Sequence, residues 1–253
     1  MGNNSNYSLY KKNEVTFAII LIVIYVVGTS LAESITESLG VVKLIPAAFH
    51  VVYSLILLCW INKNGLKEKY GLILPKYNLK EAWYYIPLLF VALLGLIGGI
   101  KIRYTVSETI LFIVSMFCVG FLEEIIFRGV LFVGMAQKKL RPAIIVSAIT
   151  FGIGHIVNLF NGSSIVDTLL QIVFAIAVGF VLVILFYKGK SLIPCVVFHG
   201  LNNALSAVEK TDEEVAAMFS ISANQYKLLY VSICIVTISV YCIYLVKKDC
   251  LKK

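Results

Sequence analysis

The chain has 253 residues, 60% of them hydrophobic and 14% charged, with a mean hydropathy of +0.91. Soluble domains carry about 25% charged residues, so a water-soluble globular protein is excluded and lipid is the solvent for most of this chain. The net charge of +8 sits in short segments between apolar runs, where Lys and Arg fix orientation, and does not form a nucleic-acid-binding surface.

Residues 1–14 (MGNNSNYSLYKKNE) are polar and read as a disordered or interfacial tail. The first apolar run, 15–32, follows Lys11 and Lys12 as a secretory signal would. It is longer than the ~7–15 apolar residues of a signal peptide, so it reads as a retained first span. Further runs at 42–61, 84–100, 109–135, 142–160, 165–187, 191–208 and 226–246 are read as spans, most of them near the ~20 residues that cross about 30 Å of hydrocarbon. The expected fold is all-α, a polytopic transmembrane bundle of about eight spans.

Pro142 and Pro194 stand at helix starts, where a missing N–H costs little, and Trp60, Trp83, Tyr84 and Tyr85 flank one loop as interfacial aromatics do. With the N-terminus inside, the inner segments hold 16 Lys and Arg and the outer ones 5, a bias that predicts both termini in the cytoplasm. Thr211 to Glu214 form a capping-box pattern opening a short surface helix. The six cysteines, Cys59, Cys118, Cys195, Cys234, Cys242 and Cys250, include no CxxC pair and read as small apolar residues, neither disulfide framework nor zinc motif. The organisation expected is a tail (1–14), three N-terminal spans (15–104), a core (105–210), and a surface helix, last span and basic tail (211–253).

Ionisable groups at bilayer depth cost about 2.5–3.5 kcal/mol each, and the strongest examples here fall in three spans. The fourth holds Glu123, Glu124 and Arg128. Glu124 and Arg128 are i and i+4, a spacing that pairs them on one helix face and reads as a structural ion pair. Glu123 is turned by about 100° from Glu124 and must meet another helix. The fifth span holds Phe151, His155 and Asn158, and the seventh holds His199 and Asn203, again i and i+4. At ~1.5 Å per residue, Glu123 and His155 lie roughly 20 Å, and His199 roughly 12 Å, from the inner ends of their spans. All three therefore fit one buried layer. Gly152, Gly154 and Gly200 beside the histidines allow close helix approach. His50 in the second span reads as a packing residue, and Asn158, Asn202 and Asp167 as interhelical polar contacts.

In order, Glu123-Glu124 with Arg128, Phe151 with His155, and His199 with Asn203 resemble the Glu-Glu-x-x-x-Arg, Phe-x-x-x-His and His-x-x-x-Asn pattern of the CAAX protease and bacteriocin-processing family of intramembrane endopeptidases. The resemblance covers about 105–210. It implies hydrolysis of a peptide bond in a membrane-associated peptide or protein, with Glu123 activating water. His155 then holds the water or orients Glu123, His199 and Asn203 stabilise the oxyanion, and Arg128 fixes Glu124. Phe151 and Asn158 support the site. It leaves two chemistries open: Zn²⁺ bound by Glu123, His155 and His199, or a metal-free glutamate–histidine pair; no His-Glu-x-x-His is present. The small size, without an added soluble domain, points to a bacterial cell membrane. Two other functions compete: a non-catalytic membrane protein for bacteriocin immunity or regulation on the same fold, and a proton-coupled transporter, against which no inverted repeat is found.

Overall fold

A computed structural model describes residues 5–75 and 84–247. Trp83 and Cys250 lie outside them. Among the described residues there is no strand, only one bridge between Ile100 and Glu209. The helices are α1 (Ser5–Lys12), α2 (Glu14–Leu39), α3 (Leu44–Lys63) and α4 (Ile86–Leu94) with a 3₁₀ turn (Gly95–Gly98). Then come α5 (Val106–Glu123), a π-helical segment (Glu124–Phe132) and α6 (Val133–Ala136) in one continuous rod. They are followed by α7 (Leu140–Gly154) with a 3₁₀ end (His155–Leu159), α8 (Ile165–Gly189), α9 (Ile193–Leu205), α10 (Asp212–Met218) and α11 (Ala223–Lys247).

Six of these are long and apolar enough to cross a membrane: Glu14–Leu39, Leu44–Lys63, Val106–Ala136, Leu140–Leu159, Ile165–Gly189 and Ala223–Lys247. The protein is an integral, multi-pass helical bundle. The eight expected spans need correcting at two places. Ile86–Gly98 is a shorter apolar helix, broken by Gly95, and α9 has only 13 residues, ending where Asn202, Asn203 and Ser206 bring polar groups into the run. The polar tail also differs from expectation. Ser5–Lys12 is helical and Tyr10 is buried, its ring edge-on to Trp60 at 5.2 Å. The first span runs past Ala32 to Gly40, whose left-handed backbone (φ 70°) accommodates the helix C-cap.

Capping chemistry sets the starts. Asn13 accepts from the Thr16 amide to open α2, Thr105 and Glu108 form a capping box on α5, and Thr211 and Glu214 form the expected one on α10.

Contacts between segments sort onto two ends of the bundle. At one end Glu14 pairs with Lys69 (2.7 Å) and accepts from Tyr70 (2.8 Å) and Gln137 (3.0 Å). At the same end the Leu192 amide donates to Gly71 (2.7 Å), and Lys188 reaches the Leu245 carbonyl. At the other end the Val42 amide meets Glu108 (3.2 Å), Arg103 meets the Ser206 carbonyl (2.9 Å) and Lys227 meets Asp167 (2.6 Å). The first set joins the segments that carry the excess of Lys and Arg, and the start of α2 and end of α11 share that end. Described cysteines are all free.

Candidate active site

Three features build the site. The first is α5 against α9. A Cβ on Gly120 would come within 2.5 Å of the Gly200 amide nitrogen, and one on Gly200 within 2.6 Å of the Phe117 ring. Two glycines face to face let the backbones touch, and the next residue, His199, reaches the carboxylates one turn along α5. Gly154, grouped with these in the sequence, has open space around its Cβ direction and lines a cavity.

The π segment is the second feature. A ladder of i→i+5 bonds widens the helix exactly where Glu123 gives way to Glu124, and such segments recur at functional sites. Ser147 of α7 donates to the Phe127 carbonyl within it (3.0 Å). Glu124 and Arg128 do pair, at 3.0 Å, both fully buried. The pair is ionic rather than well hydrogen-bonded, because no guanidinium nitrogen has an aligned acceptor. Arg128 instead lies flat over the Phe151 ring, 4.0 Å from its centroid, a cation–π contact strengthened by burial.

Glu123 meets two other helices, through Tyr25 of α2 and His199 of α9. The His199 ring sits between the two carboxylates, Nδ1 at 2.8 Å from Glu124 Oε1 and Nε2 at 3.3 Å from Glu123 Oε2. The Nδ1 contact is a hydrogen bond and needs a proton between its atoms.

The third feature is Phe151. Its ring stands edge to face with Phe127, His155 and His199 at 5.4–5.5 Å. Its carbonyl lies 3.2 Å from His155 Nδ1. A carbonyl only accepts, so this bond requires the Nδ1–H tautomer and leaves Nε2 with a lone pair. His155 begins the 3₁₀ end of its helix, half-buried beside a cavity of about 90 Å³ whose lining includes Tyr25, Thr29, Glu123, Phe151, His155 and Asn158. One water needs only ~10–15 Å³ of such space.

The structure thus brings Glu123, Glu124, Arg128, Phe151, His155 and His199 together, with Asn158 at the cavity wall, where it donates to Gln171 of α8 (2.7 Å). Asn203 stands apart from this group. It does not line the cavity, and its bonds run along its own helix, to Asn202 at 3.5 Å and from the Ser206 hydroxyl to its carbonyl. Asn202 likewise makes no interhelical bond among the described residues, whereas Asp167 does, to Lys227. His50 is a satisfied core residue, bonded to Thr29 (3.0 Å) and Ser115 (2.9 Å).

Sequence reasoning missed Tyr25, which donates to Glu123 Oε1 at 2.8 Å, and Asn161, which also lines the cavity. A tyrosine in an apolar run carries no motif, and only the fold reveals its partner. Among the described residues no three His, Cys, Asp or Glu side chains are grouped to hold a metal ion, and both His199 nitrogens already face carboxylates. The donor set in this arrangement does not fit a three-ligand zinc site.

Fold and site together define a class: a multi-pass helical membrane protein with a buried carboxylate–imidazole–guanidinium cluster beside an internal cavity. Residues 105–205 match the family model described as type II CAAX prenyl endopeptidase Rce1-like. That segment is about two fifths of the chain, and through it the protein is similar to the CAAX protease and bacteriocin-processing family of membrane proteases. No curated protein and no solved structure matches it.

Proposed function

We propose that this protein is an intramembrane endopeptidase that hydrolyses a peptide bond in a membrane-associated peptide or protein, with Glu123 as general base. The observation that carries the reading is the Glu123 carboxylate, steadied at Oε1 by Tyr25 and at Oε2 by His199, on the wall of a cavity it shares with His155. A carboxylate offers about four lone-pair sites, and these two contacts leave room to accept a proton from water. His155 Nε2 accepts the water's other hydrogen and aims its oxygen.

As that oxygen bonds to the substrate carbonyl carbon, Glu123 takes the proton and negative charge grows on the carbonyl oxygen. Amide donors at the cavity wall, Asn158 and Asn161, stabilise that charge in the role first expected of Asn203. Collapse breaks the carbon–nitrogen bond, and Glu123 returns its proton to the leaving amine. Glu124 and Arg128 hold His199 against Glu123. No step uses a metal.

The test is incubation of the purified protein with candidate membrane peptides, wild type against Glu123→Gln. Loss of a positioned general base is expected to lower the rate about 10²–10⁴-fold. A Glu123→Gln protein that cleaves at the wild-type rate overturns the proposal, and one that keeps its cellular phenotype identifies a non-catalytic partner. Activity lost to a zinc chelator would bring back the metal alternative.

A further inference from the structure

Helix α2 lies outside the matched segment 105–205 and carries none of the three motifs. Even so it supplies Tyr25, Val26, Thr29 and Ser30 to the wall of the cavity. Its placement is enforced. The Tyr53 hydroxyl donates to the Leu21 carbonyl at 3.0 Å, and Thr29 Oγ1 meets His50 Nε2 at 3.0 Å, one turn to either side of Tyr25. At the foot of the helix Glu14 is held by Lys69, Tyr70 and Gln137. The Tyr25 ring packs 6.1 Å from His50 and is buried, so its hydroxyl has one place to point, the Glu123 carboxylate 98 positions away in sequence.

We propose that Tyr25 is a positioning residue for Glu123: its hydroxyl fixes the plane of the carboxylate, so that one oxygen stays against His199 while a free lone pair faces the cavity. The inference rests on the endopeptidase reading. A carboxylate's terminal torsion is soft, and one contact at 3.3 Å to His199 does not fix it. A second, charge-assisted bond on the other oxygen does. The matched segment alone leaves Glu123 Oε1 without this partner, and a helix from the other half of the chain completes it.

The test compares wild type with Tyr25→Phe, which removes the hydroxyl and keeps the ring. The expected result is a kcat lower by about 10- to 100-fold, the worth of one hydrogen bond to a charged group, with KM within about twofold. A second readout needs no substrate: carbodiimide labelling of Glu123, followed by mass spectrometry, accelerates in Tyr25→Phe because the carboxylate has lost a partner. If Tyr25→Phe folds poorly, 3-fluorotyrosine at position 25 keeps ring and hydroxyl while making the phenol a stronger donor, and is expected to change kcat.

Full activity and unchanged labelling in Tyr25→Phe, with Glu123→Gln dead, overturn the positioning role and leave the endopeptidase reading intact. A wild type that cleaves nothing, with labelling still faster in Tyr25→Phe, overturns the endopeptidase reading and with it Tyr25's part in a reaction, while the hydrogen bond itself stands.

Discussion

Arg128 brings a full positive charge to a position with no solvent exposure, where an isolated ion is prohibitively costly. Two features make it tolerable: the Glu124 carboxylate at 3.0 Å and the Phe151 face at 4.0 Å. Removing one member of the ion pair leaves the other uncompensated. Arg128→Met is expected to destabilise by about 3–5 kcal/mol, whereas Arg128→Met combined with Glu124→Gln costs less than the two single changes added. Thermal unfolding in detergent of the four proteins measures the difference, and strict additivity would show that the pair is not coupled.

At the scale of elements, what matters is the approach of α5 to α9 and the widening that follows it. Gly120→Ala puts a methyl group against Gly200 backbone, which cannot turn aside as a side chain can. Overpacking of this kind costs about 1–3 kcal/mol, and it pushes His199 off the carboxylates, so melting temperature and hydrolysis are expected to fall together. Gly154→Ala meets open space and is expected to melt as wild type. Equal melting of all three proteins would mean that the two backbones are not in contact. Deleting one residue of the π segment, such as Ile126, is expected to restore ordinary helical rotation and separate Glu123 from His199, at similar thermal stability but without activity.

Across the whole molecule, the loops divide between two ends, and the excess of Lys and Arg falls at one of them. The orientation proposed from that bias, with both termini in the cytoplasm, predicts that green fluorescent protein fused after α11 fluoresces. It also predicts that alkaline phosphatase fused in the 206–222 loop is active; the reverse pattern would turn the protein over. The same loop carries a pH-sensitive contact. Glu209, beside Gly95 and bridged to Ile100, is pushed up to about 7 by burial, with Asp212 adding to the rise and Arg103 opposing it. Its neutral form is the one the fold favours. The stabilisation is complete below the ordinary carboxylate range near 4.5 and is lost as pH rises toward 7. Unfolding midpoints are therefore expected to fall over that window in wild type and to stay flatter in Glu209→Gln; identical profiles would remove Glu209 as the cause.

Composition alone determined that this is a helical membrane protein, because apolar runs of this length have no other stable solvent. Short-range chemistry was equally legible: the Thr211 capping box and the Glu124–Arg128 spacing depend only on neighbours within one turn. The rotation of each helix about its axis, by contrast, is set by what packs against it. Tertiary structure therefore decided that Tyr25 meets Glu123, that both carboxylates flank His199 through a π-widened turn, and that Asn203 does not line the cavity. Two segments are also shorter than their apolar runs implied, because hydropathy measures the tolerance of lipid, whereas glycines and polar side chains decide where a helix stops.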